Sequence, residues 1–174
     1  INPNVSADFI IRPTSNLDSP NLSIANTCLG SDAIVSISGA TGLTDGNYQF
    51  VYSIPNGTPA TDTTASIAIT GGVGQFIIPA ATLSSSGNFT VTITSIVSLS
   101  GSCNNLSETA NASFTVNALP DLSNGVMIAS NSCLNASNDV ELTTQISSSL
   151  PDGSYTITYD LSGAATATHT VTVI

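Results

Sequence analysis

The sequence predicts an all-β protein built as an antiparallel β-sandwich, and two observations lead to this fold class. First, many segments alternate apolar and hydroxyl residues, which is the period-two pattern of strands with one buried face. The clearest of them is residues 89–94, Phe-Thr-Val-Thr-Ile-Thr. Second, turn formers such as Asp45-Gly46 and Gly71-Gly72 separate these segments at the intervals typical of a sandwich. No segment has the spacing of an amphipathic helix.

The predicted strands follow one another along the chain, and the complete module is expected to be a seven-stranded sandwich. The alternating runs are residues 33–38, 48–52, 66–70, 75–78, 89–94, 112–116, 155–159 and 170–174. In the second run, Tyr48, Phe50 and Tyr52 share one face. That face is either an aromatic strip for carbohydrate contact or the inward face of a central strand. Because the chain has no Trp, Tyr and Phe must supply the aromatic volume of the core, which favours the inward face.

Composition excludes several classes of function. The 174 residues include 50 Ser or Thr, a single basic residue (Arg12) and 11 Asp or Glu, giving a net charge of −10. Mean hydropathy is nevertheless positive, at +0.30, so the chain can bury a core. Nucleic-acid partners are excluded because phosphate binding needs clustered Lys and Arg. No apolar run approaches the roughly 18 residues of a spanning helix, so we expect no membrane insertion by this segment.

The residues that usually carry catalysis are scarce. There is no Lys, and His169 lies in an alternating run where it is expected to point outward and to be inert. No Gly-x-Ser-x-Gly elbow and no Cys-x-x-Cys pair occurs. We therefore predict a protein that is not an enzyme, with no catalytic residues, cofactor or resident metal. Asp121, Asp139 and Glu141 are enough for one weak ion near a linker, but not for rigid calcium linkers.

The chain repeats itself with a period near 105 residues. Ala7-Asp-Phe9 recurs as Ala112-Ser-Phe114, and Leu17 recurs as Leu122, both at an offset of 105. At the same offset Asn26-Thr-Cys28-Leu29 matches Asn131-Ser-Cys133-Leu134, while residues 43–52 match residues 150–159 at an offset of 107. A repeat of this size corresponds to one immunoglobulin-like module.

The repeat predicts the domain organisation of a segment cut from a longer array. The predicted parts are 1–13, the closing strand of a preceding module; 14–19, a linker; 20–118, a complete module; 119–123, a linker; and 124–174, the first half of a following module. The second linker contains Pro120 and no Gly, so it is short and partly stiffened. We therefore expect neighbouring modules to stack end to end.

Several motifs carry a resemblance to a known family. Modules with Cys28-Leu-Gly near the start, Asp45-Gly-x-Tyr-x-x-x-Tyr and a late Thr90-Val-Thr-Ile-Thr-Ser-Ile resemble repeats of giant cell-surface proteins of Bacteroidota. They are similar in particular to the flavobacterial gliding-motility adhesins, which are exported by the type IX secretion system. The resemblance implies a secreted, extracellular location and a structural role as a stalk in an adhesin filament. The implied partners are neighbouring modules, the secretion or surface-anchoring machinery, and surface glycans.

The cysteines suggest one disulfide in each module, which suits an exported chain. Cys28 and Cys103 fall in the complete module, and Cys133 repeats Cys28, so we predict a Cys28–Cys103 bond with Cys133 unpaired in this chain. One geometric objection stands. The strand count puts Cys28 and Cys103 at opposite ends of a simple up-and-down path, whereas a bond needs Cα atoms within about 7 Å. The bond therefore requires a crossover or a different strand count.

One triplet suggests a modification, and three functions fit the sequence. Asp62-Thr63-Thr64, predicted to lie in a loop, is similar to the O-glycosylation acceptor of exported Bacteroidota proteins, which would make Thr63 the modified residue; a plain polar loop is the alternative. The first function is a structural spacer in a cell-surface adhesin. The second is a module that itself binds glycan or protein through its loops, and the third is the accessory stalk of a secreted enzyme.

Overall fold

The computed structural model describes residues 10–11, 14–18, 21–101, 103–123, 125–129, 140–144, 153–160 and 166–173. These residues form strands joined by turns, with one turn of 3₁₀ helix at Ala80–Thr82. The strands are β1 (Leu22–Ile24), β2 (Thr27–Cys28), β3 (Ala33–Ile37), β4 (Gly46–Ser53), β5 (Thr61–Thr63), β6 (Ile67–Ile69), β7 (Gly74–Ile78), β8 (Gly87–Ser98), β9 (Asn111–Asn117), β10 (Gly125–Ala129), β11 (Val140–Thr144), β12 (Gly153–Asp160) and β13 (Thr166–Val173). The all-β prediction is confirmed.

The chain divides into two compact units, residues 1–118 and 119–174, and the division falls at the start of the second predicted linker. In the first unit a three-stranded sheet has the order β1-β3-β7. The second sheet has the order β2-β9-β8-β4-β5, with β6 also paired to β4. The two sheets pack in a sandwich-like arrangement, as the alternating pattern predicts.

The described part of the first unit has nine strands, two more than predicted for the complete module. One reason is that the entering strand divides between the sheets: β1 pairs antiparallel with β3, whereas β2 pairs parallel with β9. The other is that the partner of β4 divides into β5 and β6. The alternation of side chains marks a strand and its buried face, but it does not encode which sheet the strand joins.

The core of the first unit is built on the three rings of β4. Tyr48 and Phe50 are 0% exposed and Tyr52 is 2% exposed. Phe76 of the opposite sheet stacks on Phe50 and Tyr52, with ring centroids 5.9 and 5.5 Å apart. The Tyr48 hydroxyl donates a 2.8 Å hydrogen bond to the Thr44 carbonyl oxygen, so its one polar group is paired. The inward orientation of these rings is confirmed, and they form no surface strip.

The second unit contains, in its described residues, the antiparallel pairs β10–β11 and β12–β13. The first pair repeats a register of the first unit. Leu22 of β1 pairs with Ile37 of β3, and the residues 105 positions later, Met127 of β10 and Leu142 of β11, pair in the same way. Strand β12 begins and ends 107 residues after β4. The sequence repeat therefore has a counterpart in strand bounds and in strand pairing.

Candidate functional site

The chain enters the first unit through residues 14–18, which we call the tether. The sequence predicts a linker here, but the tether is packed against the unit, with Leu17 only 2% exposed. Thr14 pairs with Cys103 in a parallel bridge, and the Ser15 amide donates to the Cys103 carbonyl oxygen at 3.3 Å. The Asn16 amide donates to the Gly42 carbonyl oxygen at 3.4 Å. These contacts make the tether part of the folded unit.

The carboxylate of Glu108 adds a side-chain hydrogen bond to these contacts of the tether. Oε2 of Glu108 accepts hydrogen bonds from the Leu17 amide at 3.0 Å and from the Asn105 side-chain amide at 3.1 Å. Its Oε1 accepts from the amides of Thr109 at 2.8 Å and Ala110 at 3.2 Å. Hydrogen bonds to an ionised acceptor are stronger than those between neutral groups. Glu108 therefore joins the entering chain to the turn that precedes β9.

The chain leaves the first unit at the end opposite the tether. Near the tether, Asn105 pairs with Ile96 towards the end of β8. At the exit, Val116 of β9 pairs with Gly87 at the start of β8. These two points are nine residues apart along β8, which corresponds to about 30 Å at the rise of a strand. Entry and exit thus lie at opposite ends of the same unit.

The predicted disulfide is not formed in the structure. Cys28 lies at the exit end, where it pairs with Asn117, while Cys103 lies at the entry end beside Thr14. Both cysteines are exposed. The length of β8 separates the two ends, well beyond the Cα distance of about 7 Å that a bond allows. The chain does cross between the sheets, since β2 pairs with β9 of the larger sheet. This crossing places Cys28 beside Asn117 at the exit end and not beside Cys103. Cys133 lies outside the described residues.

Thr63, the predicted glycosylation acceptor, lies on strand β5 at the edge of the larger sheet, not in a loop. Its side chain is exposed, whereas the neighbouring Thr64 is buried and its hydroxyl accepts a 3.0 Å hydrogen bond from the Phe50 amide. Asp62 accepts hydrogen bonds from the Thr63 amide at 2.7 Å and from the Tyr52 hydroxyl at 3.4 Å. Burial, with Asp62 contributing second, raises the pKa of Tyr52 to about 12. Thr63 is therefore the one hydroxyl of this triplet that faces solvent.

The other candidate groups do not assemble into a site within the described residues. Asp121 is bound to Ser123, whose amide and hydroxyl donate to its two oxygens at 2.7 and 2.8 Å and lower its pKa. Asp139 and the side chains of Glu141 and His169 lie outside the described residues. In the part of the chain that is described, no group of three or more metal-ligating side chains comes together. Nor does any helix there have the length and hydrophobicity to cross a membrane.

A shallow cleft opens between β6 and β7, with a volume of about 310 Å³. Its lining is mainly apolar and contains no acid or base. The residues lining it are Thr64, Ala65, Ile67, Gln75, Phe76 and Ile77. The Thr64 hydroxyl accepts a hydrogen bond from the Phe50 amide, and no base lines the cleft to activate it as a nucleophile.

Sequence reasoning missed the docking of the tether. The available signal was Leu17, an apolar residue in an otherwise polar stretch that recurs as Leu122 one repeat later. No family model matches the chain, and comparisons with curated proteins and with solved structures return no match either.

Proposed function

We propose that the chain is a spacer segment of a large secreted adhesin filament on a cell surface, built from tandem immunoglobulin-like modules. In this role the modules set the reach of the filament and transmit pulling force, while another region of the parent protein binds. The direct partners are neighbouring modules of the same chain, together with the machinery that secretes or anchors the filament.

The observation that carries this proposal is the path of the chain through the first unit. The tether enters beside Cys103, and β9 leaves about 30 Å away at the far end of β8. A unit that takes in the chain at one end and releases it at the other extends a filament by its own length. A unit whose entry and exit lay side by side would project from the filament and add little to its length.

The repeat adds support for tandem modules. The pairing of β10 with β11 reproduces that of β1 with β3 at an offset of 105, and β12 matches β4 at an offset of 107. The division of the entering strand between two sheets agrees with an immunoglobulin-like arrangement, in which two antiparallel sheets pack face to face. The net charge of −10 keeps neighbouring filaments apart through mutual repulsion.

Small-angle scattering tests the spacer function. We would compare one copy of residues 14–118 with three tandem copies joined by the natural 119–123 segment. A spacer predicts that the maximum dimension grows by roughly 35–40 Å for each added copy, the length of a strand of about ten residues plus its loops. If the three copies scatter as a compact globule of the same mass, the proposal is wrong.

A second candidate, glycan binding by the module itself, is favoured by the outer face of the larger sheet. The register aligns Asn111, Thr92, Ser53 and Thr61 in one row across four strands, all uncharged and hydrogen-bonding. A neutral sugar polymer would meet no charge in that row. Binding of the purified protein to a glycan array, lost in Thr92→Val with Thr61→Val, would replace the spacer function with this one.

Modification of Thr63 is a separate part of the proposal. Its exposed hydroxyl on an edge strand suits an enzyme that needs access to the acceptor. Peptide mass mapping of the protein from its natural source should show added hexose mass on the Thr63 peptide and none after Thr63→Ala. An unmodified peptide in the wild-type protein would exclude the acceptor.

A further inference from the structure

Strand β2 lies beside β9 in an orientation that no other pair of the named strands shares. Among the described strands, β2 and β9 alone run parallel, and every other pair is antiparallel. Thr27 pairs with Val116 and Cys28 with Asn117, so the contact falls on the last residues of β9. Because β9 runs towards the exit, β2 runs towards the exit as well, and its N-terminal end faces the entry.

Two hydrogen bonds extend this contact beyond the two residue pairs. The Leu29 amide donates to the Asn117 carbonyl oxygen at 2.9 Å. The Thr115 amide donates to Oδ1 of Asn26, also at 2.9 Å, so an exposed side chain supplies the acceptor there. We call residues 26–29, together with the last three residues of β9, the parallel patch.

A pull along the chain loads the parallel patch in shear. Tension on the entering chain draws β2 back towards the entry end, while tension on the leaving chain draws β9 towards the exit. The two strands are therefore drawn past each other along their length. The hydrogen bonds of a parallel pair are evenly spaced along the strands, so they share this load and must break together. If both strands were pulled from the same end, the bonds would open one after another.

The parallel patch also decides how much chain a pull releases. The contacts of residues 14–24 meet the load before the patch does, but their loss frees only the stretch up to residue 26, about 40 Å when extended. Residues 30–114, which include β3 to β8, lie along the chain between the two halves of the patch. While the patch holds, the pull bypasses this stretch. Once the patch breaks, the stretch comes under tension and extends by about 300 Å.

We propose that the parallel patch is the mechanical clamp of the first unit, the set of hydrogen bonds that must break before the unit unfolds under a pull. The clamp gives Asn26 a task, since its side-chain oxygen adds one bond to those that share the load. The significance for a force-bearing filament rests on the proposed spacer function, but the clamp itself is a property of the first unit.

Single-molecule force spectroscopy on the full chain, with handles at its two termini, tests the clamp. The event to follow is the release of about 300 Å. Asn26→Ala should raise the rate of this event at constant force about 2- to 10-fold, because one hydrogen bond is lost. Asn26→Asp keeps an acceptor oxygen and should recover most of the wild-type rate. Asn104→Ala is the matched control: it removes an exposed 2.9 Å bond of the same kind, from the Ser98 amide, in the bypassed stretch, and should leave the rate unchanged.

A second pulling direction tests the geometry without altering the hydrogen bonds of the patch. A chain with Cys103→Ser and Cys133→Ser keeps Cys28, whose exposed thiol takes one handle while the C-terminus takes the other. Both halves of the patch are then pulled from the exit end. The same release should occur at a lower force than in this variant held by its two termini.

Two results would overturn the clamp. One is an equal unfolding force in the two pulling directions, because shear would then not matter. The other is equal acceleration in Asn26→Ala and Asn104→Ala, because Asn26 would then act only through the stability of the whole unit. Scattering from tandem copies tests the spacer function independently, so failure of one proposal is distinguishable from failure of the other.

Discussion

Strands β4 and β12 are two copies of one sequence motif in different surroundings. Each has eight residues and begins Gly-x-Tyr. Side chains of lower and higher exposure alternate in β4, and they also alternate over residues 154–158 of β12. Tyr48 of β4 is 0% exposed, while its counterpart Tyr155 of β12 is only half-buried. β4 pairs with strands on both sides and is covered by Phe76 of the other sheet, whereas β12 pairs with β13 in the described residues. The motif sets which face is apolar, and the covering sheet sets how deeply it is buried.

The hairpin partners of the two strands also differ. β12 is matched along its whole length by the continuous strand β13. β4 is matched by two three-residue strands, β5 and β6, with Thr64 between them. The buried hydroxyl of Thr64 accepts from the Phe50 amide and so replaces a ladder carbonyl at the interruption. In β4 the hydroxyl of Thr64 therefore accepts a hydrogen bond at the interruption, whereas β12 is paired there with the continuous backbone of β13.

Removing the equivalent rings gives the sharpest test of this difference. Tyr48→Ala should lower the free energy of unfolding by about 3–5 kcal/mol, because it leaves a cavity in a closed core. Tyr155→Ala should cost less than about 2 kcal/mol, since its ring is already partly solvated. Urea denaturation followed by circular dichroism measures both. Equal losses would mean that the two strands are covered to the same depth.

Removing the Thr64 hydroxyl tests the interruption. Thr64→Val keeps the shape but leaves the buried Phe50 amide without an acceptor, so stability should fall by about 1–3 kcal/mol. Thr64→Ser keeps the oxygen and should recover most of this loss. The matched control in the second unit is Thr158→Val, an exposed strand position, which should stay within about 0.5 kcal/mol. A neutral Thr64→Val would show that another group satisfies the amide.

Alkaline titration separates Tyr52 from ordinary tyrosines. Its pKa is raised to about 12 in the folded protein, mainly by burial and then by Asp62, and the unfolded value is near 10. Both states are neutral below pH 10, so the stabilising contribution is complete there and is lost as the pH rises from about 10 towards 12. Asp62→Asn should lower the folded pKa of Tyr52 without abolishing its shift, because burial remains, so the loss still begins near pH 10 but is smaller and ends at a lower pH. Tyrosinate absorbance measures the pKa of Tyr52, and thermal unfolding at different pH values measures the stability. If the pKa of Tyr52 is the same in Asp62→Asn as in the wild-type protein, Asp62 does not contribute to the shift.

The smallest expected effect concerns Ser15 in the tether. Its Oγ is buried and has no hydrogen-bond partner within the described structure. Ser15→Ala should raise stability by up to about 1 kcal/mol, because an unsatisfied buried hydroxyl is unfavourable. The exposed Ser23→Ala is the control and should change little. A loss of stability in Ser15→Ala would show that the hydroxyl has a partner in solution.

The sequence predicted what is local and missed what depends on distant pairing. Alternation located β4, β8 and β9 and the inward rings of Tyr48, Phe50 and Tyr52. It did not predict that the entering strand divides between the sheets, because strand pairing partners leave no mark in a period-two pattern. The expected Cys28–Cys103 bond is not formed because the pairing of β2 with the exit end of β9, which the sequence pattern does not encode, places Cys28 far from Cys103.

The hydrogen bond between Leu17 and Glu108 spans 91 residues, and this has a consequence for how the unit acquires its structure. Contacts between residues far apart in the chain close an entropically costly loop and form late in folding. When the chain emerges from its N-terminus, the tether appears before all nine strands of the unit, yet its acceptor Glu108 appears only after eight of them. A segment that emerges before every strand of the unit is therefore among the last to be ordered. Until Glu108 has emerged, the Leu17 amide lacks this acceptor, so the tether closes only when synthesis of nearly the whole unit is finished.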